Sequence, residues 1–242
     1  MNFKGNYLFF SKAISDIIHV IFPTHCAACS RILLKKELLI CVNCRHELPV
    51  ITNQKNIQLT NNHFFKHKKH ISSINVLFRY EKNSNVQQLI HNFKYKNPKK
   101  LGQTLAYWQI DSIKKELFMD EIDLVVPVPM HSKKLKSRGY NQINYYAKII
   151  AHELNAKFLP KVLVKTKETK TQSKQSREER FLNIHESIKL NPKINIENLH
   201  ILLIDDVITT GATIQACAES LNESSGIKIS LVAIAITLFE DL

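Results

Sequence analysis

The 242-residue sequence predicts an α/β fold, in which a parallel sheet flanked by helices follows a small cysteine-containing module. Three observations lead to this class. Strand-like and helix-like segments alternate from residue 74 onward, the strand-like segments are nearly continuous apolar runs, and two CxxC pairs stand apart near the N-terminus. Apolar strands that alternate with helices are typical of a parallel sheet buried on both faces.

The composition describes a folded and strongly basic protein. Hydrophobic residues make up 44% and charged residues 23% of the chain, which is typical of a soluble globular domain. The formal net charge of +13 predicts attraction to polyanions, which include nucleic acid, anionic membrane surfaces and phosphorylated metabolites. No apolar run is long enough to span a bilayer, so no membrane insertion is expected. The paired cysteines favour a reducing compartment, and we expect the protein in the cytoplasm.

The first 51 residues are predicted to form a short amphipathic helix and a metal-binding module. Residues 26–44 read CAACSRILLKKELLICVNC, two CxxC pairs separated by eleven residues. Four thiolates in this pattern can surround Zn²⁺ tetrahedrally and leave no open position, so a structural zinc is expected. Four unrelated buried cysteines are the alternative, and nucleic-acid contact by the basic residues of the module stays open. The expected ligands are Cys26, Cys29, Cys41 and Cys44.

The rest of the chain is predicted to be a basic linker, residues 52–70, followed by one domain, residues 71–242. Within that domain, apolar runs predict strands and apolar stripes at helical spacing predict helices. Ser84 is expected to cap the first helix, and Gly226 is expected to end the last one. Strands are predicted within 74–80, 122–130, 200–206 and 227–237, and helices after residue 84, around 101–108, and within 141–154 and 212–222.

One segment of the domain, LLIDDVITTGATI at residues 202–214, carries the clearest sign of function. In open α/β sheets, ligands bind beyond the carboxyl ends of the strands, where Asp205 and Asp206 are expected. A turn at the start of the next helix presents backbone N–H groups to an anion. Carboxylates beside an anion site suit a sugar phosphate, whose hydroxyls bind the acids while the turn holds the phosphate. An ordinary acidic turn is the alternative. The turn residues are Thr209, Thr210, Gly211, Ala212 and Thr213.

This segment closely resembles the phosphoribosyl pyrophosphate (PRPP) motif of type I phosphoribosyltransferases. The chain as a whole resembles the ComF family nearly end to end, because five motifs occur in that family's order. They are the four-cysteine module, FKYKNP (93–98), VPVPMHSKKLKSRGYNQ (126–142), TQSKQSREERFLN (171–183) and the PRPP motif. The resemblance implies a type I phosphoribosyltransferase fold behind a zinc finger.

The resemblance also implies roles for single residues. Asp205 and Asp206 would be the catalytic pair that orients the ribose, the turn would bind the 5′-phosphate, and Mg²⁺ would accompany PRPP. A charged insertion, residues 165–183, stands where such enzymes carry a mobile flap. Positive side chains near the pyrophosphate are expected at Lys94, Lys133, Lys134, Lys136, Arg138, Arg177 and Arg180.

The function implied by the resemblance is PRPP binding in natural transformation, with contact to single-stranded DNA and to competence helicase and recombination-mediator proteins. Few aromatic residues lie in the basic stretches, where they would serve as stacking platforms for bases. Two alternatives stay open. One is a metabolic, Mg²⁺-dependent phosphoribosyltransferase with an unknown acceptor, and the other is a zinc-finger DNA-binding protein whose phosphoribosyltransferase fold is not catalytic.

Overall fold

The computed structural model describes residues 21–52, 71–116, 121–166 and 187–237. Three of the sequence predictions fall outside these ranges. They are the N-terminal helix, nearly all of the linker, and the part of the flap that contains Arg177 and Arg180.

Strands form the centre of the fold. In the part of the chain that the structure describes, they are β1 (Ile71–Arg79), β2 (Leu124–Pro127), β3 (Lys157–Phe158), β4 (Leu163–Lys165), β5 (Ile188–Leu190), β6 (His200–Ile208) and β7 (Lys228–Ile236). Five of them form a parallel sheet in the order β1-β7-β6-β2-β3, and β4 and β5 form a separate antiparallel pair. The predicted α/β class with a parallel sheet is therefore confirmed.

Helices cover both faces of this sheet. Within the described ranges they are α1 (Val42–Glu47), α2 (Asn85–Tyr95), α3 (Pro98–Glu116), α4 (Ser132–Arg138), α5 (Ile143–Glu153) and α6 (Ala212–Leu221). Ser84 caps α2 as predicted, because its hydroxyl accepts a hydrogen bond from the backbone N–H of Gln87 at 3.2 Å. None of these helices is long and apolar enough to cross a membrane.

Neighbouring residues of each central strand point into two different hydrophobic cores. Leu202 and Ile204 of β6 pack with α2, α3 and α5, whereas Ile201 and Leu203 pack with α6 and the β4–β5 pair. This explains why the strands are apolar at every position rather than at every second one. The buried residues of the cysteine module, including Cys44, belong to the first of these cores. The module is thus packed against the same helices that cover the sheet.

The register of β2 on β6 creates an opening at the carboxyl end of the sheet. Pairing of these strands ends at Pro127 and Ile204, while β6 continues beside β7 as far as Ile208. Pro129 follows two residues after Pro127, and proline has no N–H with which to continue a ladder. Asp205 and Asp206 therefore lie just past the end of β2, on a strand that has lost its neighbour on that side.

Three local predictions are corrected by the structure. The strand β6 extends two residues past the aspartates, to Ile208, so they lie within the strand rather than at its end. Helix α6 ends at Leu221, and Gly226 belongs to the following turn, at φ +67°. The lysine-rich stretch after β2 contains the helix α4, which the sequence did not predict because it has no apolar stripe.

Candidate functional site

A cavity of about 260 Å³ opens where β2 ends. Its walls come from the carboxyl end of α2, the segment that joins β2 to α4, α4 itself, the residues before and at the beginning of α5, the end of β4, and Asp205 and Asp206 of β6. The lining residues are Lys94, Tyr95, Val128, Pro129, Met130, His131, Lys134, Arg138, Asn141, Gln142, Ile143, Lys165, Asp205 and Asp206.

The carboxylate of Asp206 is held on both oxygens. Lys94 Nζ lies 2.9 Å from Oδ1, and Gln142 Nε2 donates a hydrogen bond to Oδ2 at 2.6 Å. The backbone N–H of Asp206 donates to Asp205 Oδ1 at 2.8 Å, which fixes the Asp205 side chain against the backbone of its neighbour. The pair is thus presented to the cavity in a fixed geometry, with a cation beside one of its members.

Burial and the neighbouring charge of Asp206 raise the pKa of Asp205 to about 7. The hydrogen bond from the backbone of Asp206 and the charges of Lys94 and Lys165 oppose this rise without cancelling it. Burial also lowers the pKa of the Lys165 ammonium, and the nearby charge of Lys134 lowers it further. Near neutral pH, the carboxyl of Asp205 in the ligand-free site is therefore partly protonated.

This raised pKa predicts that the ligand-free protein loses stability as the pH rises from about 4 to about 7. The folded chain retains a proton on Asp205 that the unfolded chain releases, so the free energy of unfolding falls across this range. We expect Asp205→Asn to remove a pH dependence of about 2–3 kcal/mol between pH 5 and pH 8, which is about 4–12 °C in melting temperature. Thermal unfolding at pH 5 and pH 8 measures it, with the exposed Asp111→Asn as the control. Equal pH dependence in both variants would contradict the assignment.

Arg138 connects the cavity to an exposed tyrosine. Its guanidinium donates hydrogen bonds to Gln142 Oε1 and, at 3.0 Å, to the hydroxyl of Tyr95. The same group lies 4.6 Å from the centroid of the Tyr95 ring. Arg138 ends α4, and Gly139 follows it at φ +79°, with its N–H bonded to Leu135 O at 2.7 Å. Only glycine adopts this left-handed cap without strain, so Gly139 fixes where α4 ends.

The predicted anion turn lies directly after β6. Thr209 and Thr210 are exposed, and Gly211, at φ +67°, immediately precedes α6. The backbone N–H of Gln215 bonds to Gly211 O at 2.9 Å and closes the first turn of the helix. None of the residues from Thr209 to Thr213 lines the 260 Å³ cavity, although β6 connects them to Asp205 and Asp206.

The structure brings together some of the predicted cationic residues. Lys94, Lys134 and Arg138 line the cavity with the two aspartates. Lys133 and Lys136 lie exposed on α4, outside the lining. Arg177 and Arg180 lie outside the described residues.

Several lining residues were not among the predicted site residues. Asn141 and Gln142 close the motif VPVPMHSKKLKSRGYNQ, so their position in that motif was the signal that pointed to them. Tyr95 belongs to FKYKNP in the same way. His131, which was not expected to be a base, accepts a hydrogen bond at Nδ1 from Lys133 N at 3.2 Å and so caps α4.

The four cysteines of the N-terminal module form a compact cluster that could hold a metal ion. The sulfur atoms of Cys26, Cys29, Cys41 and Cys44 all lie within 4.8 Å of one another. The backbone N–H groups of Ala28 and Cys41 point at Cys26 Sγ, at 3.4 and 3.3 Å, as in a metal-binding knuckle. Burial raises the pKa of Cys41 and Cys44, so thiolates at these positions require a neighbouring cation.

Comparison with solved structures finds phosphoribosyltransferases. One adenine phosphoribosyltransferase is 16% identical and covers 60% of this chain and 74% of its own, with a TM-score of 0.40.

Comparison with curated proteins finds relatives named for competence and DNA utilisation. DNA utilization protein YhgH of Salmonella typhimurium is 24% identical over 62% of this chain and 66% of its own length, just under two thirds. Competence protein F of Haemophilus influenzae is 28% identical over 56% of this chain and 61% of its own. Competence protein ComFC of Bacillus subtilis is 26% identical over 60% of this chain and 56% of its own.

A family model described as the phosphoribosyl transferase domain matches residues 99–240, which is more than half of the chain. The match includes β2, α4, the two aspartates and the turn before α6. Together with the relatives, it confirms the resemblance that the sequence motifs indicated. The chain belongs to the phosphoribosyl transferase domain family, as one of its ComF-family members.

Proposed function

We propose that this protein binds PRPP with Mg²⁺ in the cavity beside β6. One arrangement carries the proposal. A fixed pair of carboxylates on β6 lines the cavity together with cations. The same strand then leads into a glycine-containing turn at the start of a helix. Carboxylates suit the ribose hydroxyls, and the turn suits the 5′-phosphate. The cations Lys134 and Arg138, which also line the cavity, suit the pyrophosphate.

The proposed roles follow from these positions. Asp205 and Asp206 accept hydrogen bonds from the ribose hydroxyls, and Gln142 holds Asp206 in place while they do so. Lys94 lies beside Asp206 and can approach the pyrophosphate from the α2 side of the cavity. Backbone N–H groups and hydroxyls of residues 209–213 hold the 5′-phosphate. Lys133 and Lys136 add positive charge to the same face of the protein.

The site residues also fit the expected Mg²⁺. Carboxylate oxygens and substrate phosphates are the ligands that Mg²⁺ prefers, and both would meet in this cavity. The ion would neutralise charge on the pyrophosphate and so make it a better leaving group.

The cysteine cluster is proposed to hold a structural Zn²⁺. Four sulfur donors in a closed set suit zinc and leave no position for a reacting water. The ion would fix the module against α2, where Asn92 Nδ2 donates to Ala27 O at 2.7 Å.

We further propose that the protein acts in the uptake or use of DNA during natural transformation. Its relatives carry the names of competence and DNA utilisation proteins. The net charge of +13 suits contact with single-stranded DNA, because phosphate neutralisation by Lys and Arg drives such binding. Competence helicase and recombination-mediator proteins are the expected protein partners.

Thermal unfolding with PRPP tests the proposed ligand. At a hundredfold excess over Kd, a ligand that binds only the folded state adds about 2.7 kcal/mol, which is about 5–11 °C for a chain of this size. We expect this shift with PRPP and Mg²⁺ together, and smaller shifts with ribose 5-phosphate or pyrophosphate, since each engages only part of the site. Calorimetry of the same mixtures should give one site per chain. The absence of both heat and thermal shift with PRPP and Mg²⁺ would refute the proposal.

A further inference from the structure

A second and larger cleft, of about 540 Å³, lies between the cysteine module and the beginning of α2. Its side chains are mainly amides and hydroxyls, with one histidine and one lysine, and no carboxylate is among the described residues that line it. The lining consists of Ala28, Cys29, Ser30, Asn83, Ser84, Asn85, Gln87, Gln88, His91 and Lys96.

One face of α2 joins this cleft to the cavity beside β6. Asn85, Gln88, His91 and Tyr95 follow one another at intervals of three or four residues and therefore lie on the same side of the helix. The first three line the cleft, and Tyr95 lines the cavity. At a rise of 1.5 Å per residue, this face is about 15 Å long, enough for a few nucleotides of an extended strand. We call these four residues the α2 face.

The α2 face contains two exposed rings on which bases can stack. Tyr95 is 56% exposed, and its ring lies 5.0 Å from the ring of the exposed His91. The guanidinium of Arg138 lies 4.6 Å from the centroid of the same tyrosine ring. Exposed aromatic rings and arginine side chains are the groups on which unpaired nucleobases stack.

Charge and hydrogen-bonding capacity complete the surface. Lys96 lies at the cleft, and Lys94, Lys134 and Arg138 surround the other end of the α2 face. Asn85 and Gln88 carry amide groups, which can donate to and accept from base edges. The α2 face thus carries amides for base edges and rings for stacking, and cations that can neutralise phosphates lie on it or beside it.

We propose that the α2 face and its cleft bind single-stranded nucleic acid. Bases stack on His91 and Tyr95, the amides of Asn85 and Gln88 contact base edges, and Lys96 and Arg138 neutralise phosphates. Because Tyr95 and Arg138 also line the cavity, one nucleotide of the strand lies at the mouth of the proposed PRPP site. This surface would make the DNA contact proposed above, and strand binding to it does not depend on PRPP binding. Duplex DNA is a poor ligand for this surface, since its bases are already stacked on each other.

Fluorescence anisotropy with a labelled oligothymidylate of about 12 nucleotides tests this site in the full chain, without PRPP. We expect Tyr95→Ala to weaken binding by about 5- to 150-fold, the range for loss of one base-stacking platform, and Gln88→Ala/His91→Ala to weaken it at least about 5-fold. Tyr95→Phe keeps the ring and should stay within about 5-fold of the wild type. Oligouridylate and duplex DNA in parallel distinguish DNA from RNA and single from double strands.

Tyr107→Ala is the matched control, because Tyr107 is 51% exposed on α3 and lines neither cavity. Circular dichroism and melting temperature show whether each variant folds. The inference would be overturned if the wild type, Tyr95→Ala and Gln88→Ala/His91→Ala bound the strand with equal affinity. An equal loss of affinity in Tyr107→Ala, or tighter binding of duplex DNA than of the single strand, would also overturn it. Calorimetry with PRPP, done without the strand, tests the proposed ligand separately. If PRPP binds but the variants bind the strand as tightly as the wild type, only the α2 site is refuted. If PRPP does not bind but the variants lose affinity for the strand, only the PRPP site is refuted.

Discussion

Replacement of Asp205 and Asp206 by asparagine is expected to weaken PRPP binding by at least about 100-fold. Each carboxylate is proposed to accept hydrogen bonds from ribose hydroxyls, and a hydrogen bond to a charged group contributes about 1.5–3 kcal/mol. Two such losses exceed the 2.7 kcal/mol that corresponds to a factor of about 100 in Kd. The thermal shift with PRPP and Mg²⁺ should therefore disappear at the concentrations that stabilise the wild type.

Asp205→Asn is the most informative single variant. Its amide oxygen can still accept the hydrogen bond that Asp206 N donates, at 2.8 Å in the wild type, so the local backbone should be preserved. Asp206→Asn instead leaves Lys94 without its partner, and its melting temperature has to be measured before its affinity is interpreted. Asp111→Asn, an exposed change on α3, is the control and should bind PRPP like the wild type. Wild-type affinity in the double variant would exclude the carboxylate pair from the PRPP site.

Loss of one cysteine ligand is expected to remove the metal and to destabilise the whole chain. Cys44 is fully buried and belongs to the core that α2, α3 and α5 share with the sheet. Structural zinc contributes about 10–16 kcal/mol to the folding of zinc-finger peptides, as much as the total stability of a typical domain. We expect Cys44→Ala to lose the metal and to lower the melting temperature by more than about 10 °C, the effect of a loss of about 5 kcal/mol.

Cys217→Ala provides the matched comparison for that variant. Cys217 is also fully buried, but it lies in α6, on the other face of the sheet. Elemental analysis should find about one zinc per chain in the wild type and in Cys217→Ala, and close to none in Cys44→Ala. Removal of the metal from the wild type with a chelator should reproduce the lower melting temperature. Equal stability of metal-loaded and metal-free protein would contradict a structural role for the cluster.

Predictions from the sequence succeeded where the pattern is local. The segment LLIDDVITTGATI contains an apolar strand, the two aspartates and the glycine that immediately precedes α6, and all of them are neighbours in the chain. The two CxxC pairs likewise implied the cluster that the structure forms. Helix α4 was missed because its residues, SKKLKSR, have no apolar face and are buried nowhere. Its two ends are fixed by the capping residues His131 and Gly139.

Contacts between distant parts of the chain could not be predicted from a single sequence. Gln142 and Asp206 are 64 residues apart, and Arg138 and Tyr95 are 43 apart. Each pair meets only because β2 lies next to β6 and α2 packs beside the end of the sheet. The family motifs pointed to most of these residues, but not to their partners. The ion pair of Lys94 with Asp206, for example, was expected as a contact of Lys94 with pyrophosphate.

A crystal structure of the protein with PRPP and Mg²⁺ tests PRPP binding beside β6 most directly. We expect the ribose hydroxyls within hydrogen-bond distance of Asp205 and Asp206, and the 5′-phosphate against the backbone of residues 209–213. The pyrophosphate should lie against Lys134 and Arg138. PRPP bound at any other place, or crystals without PRPP at saturating concentration, would refute the proposed site.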